Sequence, residues 1–218
     1  MTDAEKVILS RNNTYYQNIW ECFLDRRKSV SKALTKALKG GYDVNFIPRG
    51  SLRKPILLVV LGHTGKSEAK DVKLLLDAGA DVNLTDLSGL NALMTAVSFN
   101  WDIGIIKEIL TKTKNINVVT QQENNTALGL LCQNILQQSY LFTPKNCLSA
   151  EDKSLIKDFL DAGADPDIDG KWKKPDYCYV TKDNQKELQK SMLAYIEKYR
   201  ERKESLKFAP ESIFEYEL

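Results

Sequence analysis

Apolar residues along this chain recur at helical spacing in short runs, each closed by a glycine, a proline or a polar break. Residues 18–24 and then 30–38 predict a first helix pair. On its second member Val30, Ala33, Leu34, Ala37 and Leu38 share one face, opposite Lys28, Lys32, Lys36 and Lys39. Ile56–Leu61 is a continuous aliphatic run opened by Pro55, which is harmless at a first helical position because the N–H there has no partner. Val72–Asp77 predicts its mate. Asn91–Ser98 and Ile103–Leu110 predict a third pair, with Ile105, Ile106, Ile109 and Leu110 facing inward. A fourth begins at Thr126, runs on through Leu131, Ile135 and Gln138, and finds its mate only at Leu155–Asp161. The insertion between them carries Tyr140, Leu141, Phe142 and Pro144, apolar enough to fold back onto the other helices. After a stub at Asp176–Tyr179, a long helix from Asn184 to Glu204 carries the stripe Leu188, Met192, Tyr195, Ile196 and Tyr199.

The breaks repeat. Leu76–Asn83 reads LDAGADVN and Leu160–Asp167 reads LDAGADPD, with looser copies at Lys36–Asn45 and Ile109–Asn117. Each predicts a helix end, a glycine where a left-handed residue is needed, and a short extended segment. Counting from Asp43, Asp81, Asn115 and Asp165 gives intervals of 38, 34 and 50 residues. That is one unit of about 33 residues with insertions.

Aligned on these positions, residues 17–200 resemble the ankyrin repeat family. The helix end and Gly-Ala-Asp-Val-Asn match best, at Val72, Leu74–Leu76 and Gly79–Asn83, and again at Ile156, Phe159, Leu160 and Gly163–Asp167. The Thr-Pro-Leu-His element is degraded to Lys54–Leu57, Asn91–Met94, Thr126–Gly129 and Lys174–Tyr177, which should weaken hydrogen bonding between repeats. The resemblance implies an all-α fold: an ankyrin-repeat solenoid of stacked helix-turn-helix units joined by β-hairpin loops, with a long C-terminal capping helix. The implied domain is single. It runs as an N-terminal capping repeat (1–42), repeats at 43–80, 81–114 and 115–164, a C-terminal cap (165–204) and an acidic tail (205–218). In this family partners are recognised on hairpin tips and the concave face. That places candidate contacts at Phe46, Arg49 and Arg53; Leu84, Asp86 and Leu87; Gln121, Gln122 and Glu123; and Lys171, Trp172 and Lys173. Thr95, Ser98 and Phe99 are the adjoining helix positions. A tryptophan between lysines on a turn is costly to leave in water, so Trp172 is the leading anchor, with packing against the C-terminal helix as the equal alternative. For Phe46 and Phe99 burial between repeats is the stronger reading.

Composition is that of an ordinary folded chain: 43% hydrophobic and 28% charged residues, net charge +2. The N-terminal stretch resembles no signal peptide, and the longest aliphatic run, Ile56–Leu61, is too short to cross a bilayer. Cys22, Cys132, Cys147 and Cys178 show no CxxC spacing, which favours a reducing, cytoplasmic setting, with delivery into a host cell left open. The Asn-x-Thr triplets at Asn12 and Asn124 then have no meaning. Nine Lys or Arg against one acid between Arg26 and Lys54 make the N-terminal end basic, which keeps nucleic acid or anionic lipid as an alternative partner.

Catalytic patterns are poorly supported. Gly65-Lys66-Ser67 imitates the end of a phosphate-binding loop, but the required first glycine is Val60 and only two residues separate Gly62 from Gly65. An inter-helix turn is the better reading, and a nucleotide-binding protein the alternative. His63 is the only histidine and reads as an exposed turn residue. Asp77, Asp81 and Asp86 read as helix-end and hairpin residues. The resulting expectation is a non-catalytic, monomeric module that binds a protein partner and needs no metal, cofactor or small-molecule substrate.

Overall fold

The computed structural model describes residues 2–25, 27–49, 53–121, 124–141, 146–168, 171–174 and 183–207. The described chain is helical, with no strand among the described residues. Its elements are α1 (Asp3–Leu24), α2 (Val30–Lys39), α3 (Ile56–Leu61), α4 (Ala69–Asp77), α5 (Ala92–Ser98), α6 (Ile103–Lys112), α7 (Ala127–Leu141), α8 (Ala150–Asp161), a 3-10 turn (Lys171–Lys173) and α9 (Asp183–Lys207). The stub read at Asp176–Tyr179 and the tail from Phe208 lie outside the described residues. Contacts sort the helices into two rows. One runs α3 on α5 on α7, the other α2 on α4 on α6 on α8, and α9 touches both α7 and α8. The pairs α3/α4, α5/α6 and α7/α8 thus each give one helix to each row, while α1 packs on α2.

The row through α3 and α5 forms the interior. All six residues of Ile56–Leu61 and every residue of Ala92–Val97 are buried, so α3 and α5 are apolar all round rather than amphipathic. Such helices are stable only between neighbours. The other row keeps one wet face: α2 buries Val30, Leu34 and Ala37 and exposes Lys32, Lys36 and Lys39. Helix starts are set by side-chain caps. Asn91 accepts from the N–H of Met94 at 2.9 Å, Asp102 from Ile105 at 3.0 Å and Thr126 from Gly129 at 3.0 Å. Pro55 is the residue before α3 rather than its first member.

Three helices begin earlier than their apolar periodicity predicts, among them α4, which starts at Ala69 rather than Val72 behind the pair Glu68 and Asp71. α1 starts at Asp3, not near Asn18, because Thr2 and Glu5 form a reciprocal capping box. Its buried stripe is Asn12, Tyr16, Ile19 and Cys22. The Tyr16 hydroxyl donates to the Lys54 carbonyl at 2.9 Å, and Asn12 Oδ1 accepts from the Asp43 N–H at 3.0 Å. At 1.5 Å per residue α1 is about 33 Å long and α2 about 15 Å. The N-terminal turns of α1 therefore overhang, leaving Val7 and Ile8 exposed. α8 starts at Ala150 rather than Leu155 through a second capping box, Ser149 with Asp152. Just before it Leu148 is buried and its N–H reaches Ser191 Oγ on α9 at 3.5 Å, so this end of the insertion folds back. Tyr140 and Leu141 stay exposed, and Phe142 and Pro144 lie outside the described residues.

The recurring motif now has a physical role. Gly79 and Gly163 take φ of 85° and 92°, which allows Ala80 N–H to return to the Leu75 carbonyl and Ala164 N–H to Phe159, each at 3.0 Å. The aspartate or its substitute then accepts from the backbone two residues on: Asp43 from Asn45 at 3.0 Å, Asp81 from Asn83 at 2.9 Å, Asn115 from Asn117 at 3.0 Å and Asp165 from Asp167 at 2.8 Å. The asparagine ending the motif bridges to the next unit. Asn45 accepts from Asp81 N–H at 2.7 Å and donates to the Gly79 carbonyl at 3.1 Å. Asn83 accepts from Lys114 N–H at 2.8 Å and donates to Lys112 at 3.5 Å; Asn117 accepts from Asp165 N–H at 2.8 Å and donates to Gly163 at 3.0 Å.

At the fourth copy the asparagine is Asp167, and the ladder ends. Its carboxylate takes Lys173 at 3.2 Å and Arg200 of α9 at 2.7 Å. Nearby Asp161 takes Lys157 at 2.6 Å and the Tyr199 hydroxyl, with Lys203 at 3.6 Å. The hydrogen bond from Lys173, then that from Arg200, hold the Asp167 carboxyl below the usual carboxylate range; Lys157 and Tyr199 do the same for Asp161. A carboxyl whose pKa is lower folded than unfolded contributes stability above its unfolded value, and that contribution is lost as pH falls through the folded one. The urea midpoint is therefore expected to fall as pH is lowered from 5 to below about 4. An Asp167→Asn variant should lose part of that slope; an acid limb parallel to that of the parent chain would sink this account of the cap.

Candidate interaction surface

The segments joining successive units are built by side chains rather than by strands. In the second, Asp86 Oδ1 accepts from Ser88 N–H at 2.9 Å, Ser88 Oγ at 2.6 Å and Leu90 N–H at 3.1 Å, and Lys54 lies 3.7 Å from Oδ2. Gly89, with φ of 82°, lets the turn close, and the Ser88 carbonyl accepts from Gln121 N–H of the next segment at 3.0 Å. That third segment closes on itself through Thr120 N–H to the Asn125 carbonyl at 3.0 Å. Asp86 is thus a turn-forming residue with its acceptors occupied.

With the polar groups spent on the turns, the tips present aliphatic side chains. Among the described residues each joining segment exposes one: Ile47 at 38%, Leu87 at 58%, Val119 at 39% and Ile168 at 42%. Only Leu87 is found by the sequence reading. Ile47 and Val119 each follow the repeat aspartate or asparagine by four residues, a register the sequence displays but composition does not single out. Arg49 and Arg53 are exposed, and among the described residues neither forms an ion pair. Leu84 is half-buried and Gln121 exposed; Gln122 and Glu123 lie outside the described residues. Lys171 is described only in its backbone. Lys173 is half-buried, spent on Asp167, and sits 5.8 Å from the Trp172 ring.

Three expected contacts are interior. Trp172 is fully buried beneath α9, and its carbonyl and that of Lys174 accept from Gln189 Nε2 at 2.5 and 3.0 Å. It serves packing, not a partner. Phe46 is buried beside Tyr42, with ring centroids 6.5 Å apart. Thr95 is buried on α5, its hydroxyl donating to the Asn91 carbonyl at 2.8 Å. Ser98 and Phe99 are exposed but close the C-terminal end of α5, one helix length from the joining segments that precede Asn91. They do not adjoin the tips.

Phe99 belongs to the opposite edge, where the helices of each pair turn. There the lengthened α3–α4 turn docks on α1: Lys66 Nζ donates to the Cys22 carbonyl at 2.7 Å. His63 is half-buried rather than exposed, with Nδ1 2.7 Å from the Val59 carbonyl and its ring centroid 4.5 Å from Phe23 and 5.8 Å from Trp20. A groove of about 770 Å³ lined by Phe23, Leu24, Lys28, His63 and Lys66 results. The imitation phosphate loop is this turn. Its preceding segment is helix α3 instead of a strand, the N–H groups of Lys66 and Ser67 return to the His63 carbonyl at 2.9 Å each, and the Lys66 ammonium is committed to Cys22. A phosphate finds no free cradle there.

Part of the N-terminal basic cluster is neutralised locally. Arg27 pairs with Asp25 at 3.3 Å, Lys28 with Glu21 at 2.7 Å and Lys54 with Asp86 at 3.7 Å, while Arg26 lies outside the described residues. Among the described residues no group of three His, Cys, Asp or Glu side chains is placed to hold a metal ion, and no helix is long and apolar enough to cross a membrane.

No family model matches the chain. It is similar to a protein of Acanthamoeba polyphaga mimivirus described as "Putative ankyrin repeat protein", at 32% identity over 88 residues. The match takes in 40% of this chain and 54% of that relative, so about half of the relative's length is matched. The likeness reaches an ankyrin-like repeat protein and goes no further.

Proposed function

We propose that the chain is a non-catalytic, ankyrin-type solenoid that binds a protein partner along its hairpin edge. Its units run over 43–80, 81–114 and 115–164 between an N-terminal cap of 1–42 and a C-terminal cap of 165–204. The observation that carries the reading is an exposed aliphatic residue among the described residues of each of four joining segments, Ile47, Leu87, Val119 and Ile168. The asparagine bridges tie these segments into one row, so the four side chains are preorganised and little ordering entropy opposes docking. An apolar row rimmed by arginines is the composition expected where an interface has its anchors. The relative's description as an ankyrin repeat protein agrees with this reading.

The test is a photo-reactive residue placed at Leu87 or, on the opposite edge, at Leu24, in the full chain exposed to lysate of its source. Protein adducts at position 87 that disappear with Val119→Glu are the expected result. Adducts at position 24 alone would overturn the hairpin edge as the site.

A further inference from the structure

We propose that the solvent face of α2 docks the protein on an anionic bilayer surface, with Leu24 reaching into the headgroup layer. This goes beyond the reading above and uses a different surface, so neither depends on the other. Ion pairs leave one set of cations over. Elsewhere in the row of α2, α4, α6 and α8, Lys70 pairs with Glu68 at 2.8 Å, Lys107 with Asp158 at 2.8 Å, Lys112 with Glu108 at 3.7 Å and Lys157 with Asp161 at 2.6 Å. α2 differs in composition. Val30–Lys39 holds Lys32, Lys36 and Lys39 but no Asp or Glu, and it is the one helix of this row without an acid. The three lysines are exposed, have no ion-pair partner among the described residues, and with Ser31 and Thr35 line a shallow concavity of about 450 Å³. Their spacing puts the charges in a single file about 10.5 Å long on one side of the helix. Other lysines without a pair among the described residues are scattered. Lys73 sits on α4 between Asp71 and Asp77, Lys153 on α8 beside Glu151 and Asp152, and Lys198 on α9 between Glu197 and Glu201, while Lys114 and Lys174 lie outside the helices.

The chemistry of the face selects the anion. Lysine is a hydrated point charge without the planar fork by which arginine grips phosphates, and no aromatic side chain lines the concavity to stack on a base. Attraction to a plane of anionic headgroups needs neither. An apolar residue stands beside the charges. Leu24, at the end of α1, is 73% exposed, more than any other large apolar residue of the described chain. It lines, with Lys28, the groove that shares Ser31 with the α2 concavity, so the leucine and the lysine file adjoin. Glu68, the one acid on that groove, is the residue paired with Lys70. A nucleic-acid backbone would leave the leucine wet, whereas a bilayer takes it up together with the charges. One leucine and three lysines give reversible docking that salt weakens.

The experiment sediments the full chain with vesicles of phosphatidylcholine, alone or with about one-third phosphatidylserine, at low and at high salt. The expected result is partition onto the phosphatidylserine vesicles only, lost at high salt. Each lysine near such a surface is worth about fivefold, so Lys32→Ala with Lys36→Ala and Lys39→Ala should lower the partition coefficient about a hundredfold. Leu24→Ser should lower it about tenfold. Lys114→Ala with Lys153→Ala and Lys198→Ala, which removes the same charge elsewhere, should change it by less than about threefold, because those lysines lie off the docked face. Leu87→Glu, on the hairpin edge, should leave it unchanged. No partition of the parent chain would overturn the proposal, and so would equal losses from the two triple variants, which would reduce the effect to net charge. Retention of duplex DNA or single-stranded RNA that the α2 variant loses, without vesicle partition, would replace the bilayer by a nucleic acid. Partition indifferent to Leu24→Ser would overturn the insertion of that residue and leave the lysine file standing.

Discussion

Replacing Trp172 by alanine is expected to destabilise the protein by about 3–5 kcal/mol, the usual cost of removing a large aromatic side chain from a core. Trp172 is the largest fully buried side chain in the described structure, and it holds the 3-10 turn against α7 and α9. Its carbonyl also anchors Gln189, itself buried, so a shifted turn leaves that amide without an acceptor. The loss should be local first. Only neighbours contact the terminal element of a stacked array, so α9 is expected to exchange amide hydrogens faster than α3 or α5 in the variant. Trp172→Phe should recover part of the stability. A chemical denaturation curve for Trp172→Ala within about 1 kcal/mol of the parent would show that the ring is not a core element.

That residue marks where sequence reasoning stops. Trp172 sits in KWKKP, where local polarity argues for solvent, and of the two equal readings it takes packing: its turn lies on α7 and is bonded by Gln189 of α9. Thr95 is interior because α5 packs between α3 and α7, whereas burial of Phe46 is the outcome its stronger reading anticipated. Periodicity finds α2 and the interior of α4, α6 and α9, where one apolar face is enough to hold a helix in place. It misses the first turns of α1 and α8, which depend on hydrogen-bonded caps. Thr2-x-x-Glu5 and Ser149-x-x-Asp152 were nevertheless legible as capping boxes. The asparagine at the other end of the motif, which the sequence reading gave no role, supplies a recurring link between successive copies, beside single bonds such as Trp101 Nε1 to the Leu61 carbonyl at 2.8 Å.

The candidate surface is legible only in part. Arg49, Arg53 and Leu87 are exposed as anticipated, because hairpin tips have few neighbours to cover them. Ile47, Val119 and Ile168 were passed over because a lone aliphatic residue in a loop carries no signal by itself. Ile47 and Val119 share a register, four residues after the repeat position, whereas Ile168 follows its aspartate by three. Ser98 and Phe99 fail in the opposite way. They are close to the motif in sequence, yet a seven-residue helix carries them to the other edge.

Substituting Asn45, Asn83 and Asn117 together by alanine is expected to cost about 3 kcal/mol or more and to broaden the unfolding transition. Each amide makes two bonds to the backbone of the next copy of the motif, and a net hydrogen bond contributes about 0.5–1.5 kcal/mol. Two features moderate the sum. The Asn83 donor bond is long, at 3.5 Å, and Asn45 is exposed, so water can replace part of what is lost there. Asn45 and Asn83 meet at Asp81, whose N–H donates to Asn45 and whose carboxylate accepts from Asn83, so those two effects should couple, while that of Asn117 should add to within about 0.5 kcal/mol. Cooperativity is the sharper readout. In a stacked array the coupling between neighbours makes the units unfold together, and removing interface bonds while leaving each helix pair intact weakens that coupling specifically. The denaturant slope of the triple variant should therefore fall, and circular dichroism and tryptophan fluorescence, which reads the surroundings of Trp20, Trp101 and Trp172, should no longer coincide. Asn→Asp at the same positions keeps the acceptor but sets a carboxylate oxygen against the Gly79, Lys112 and Gly163 carbonyls, so it should be no better than alanine above pH 5 and should improve as acid protonates it. A triple alanine variant that unfolds with the parent slope and midpoint would mean that apolar burial alone couples the units.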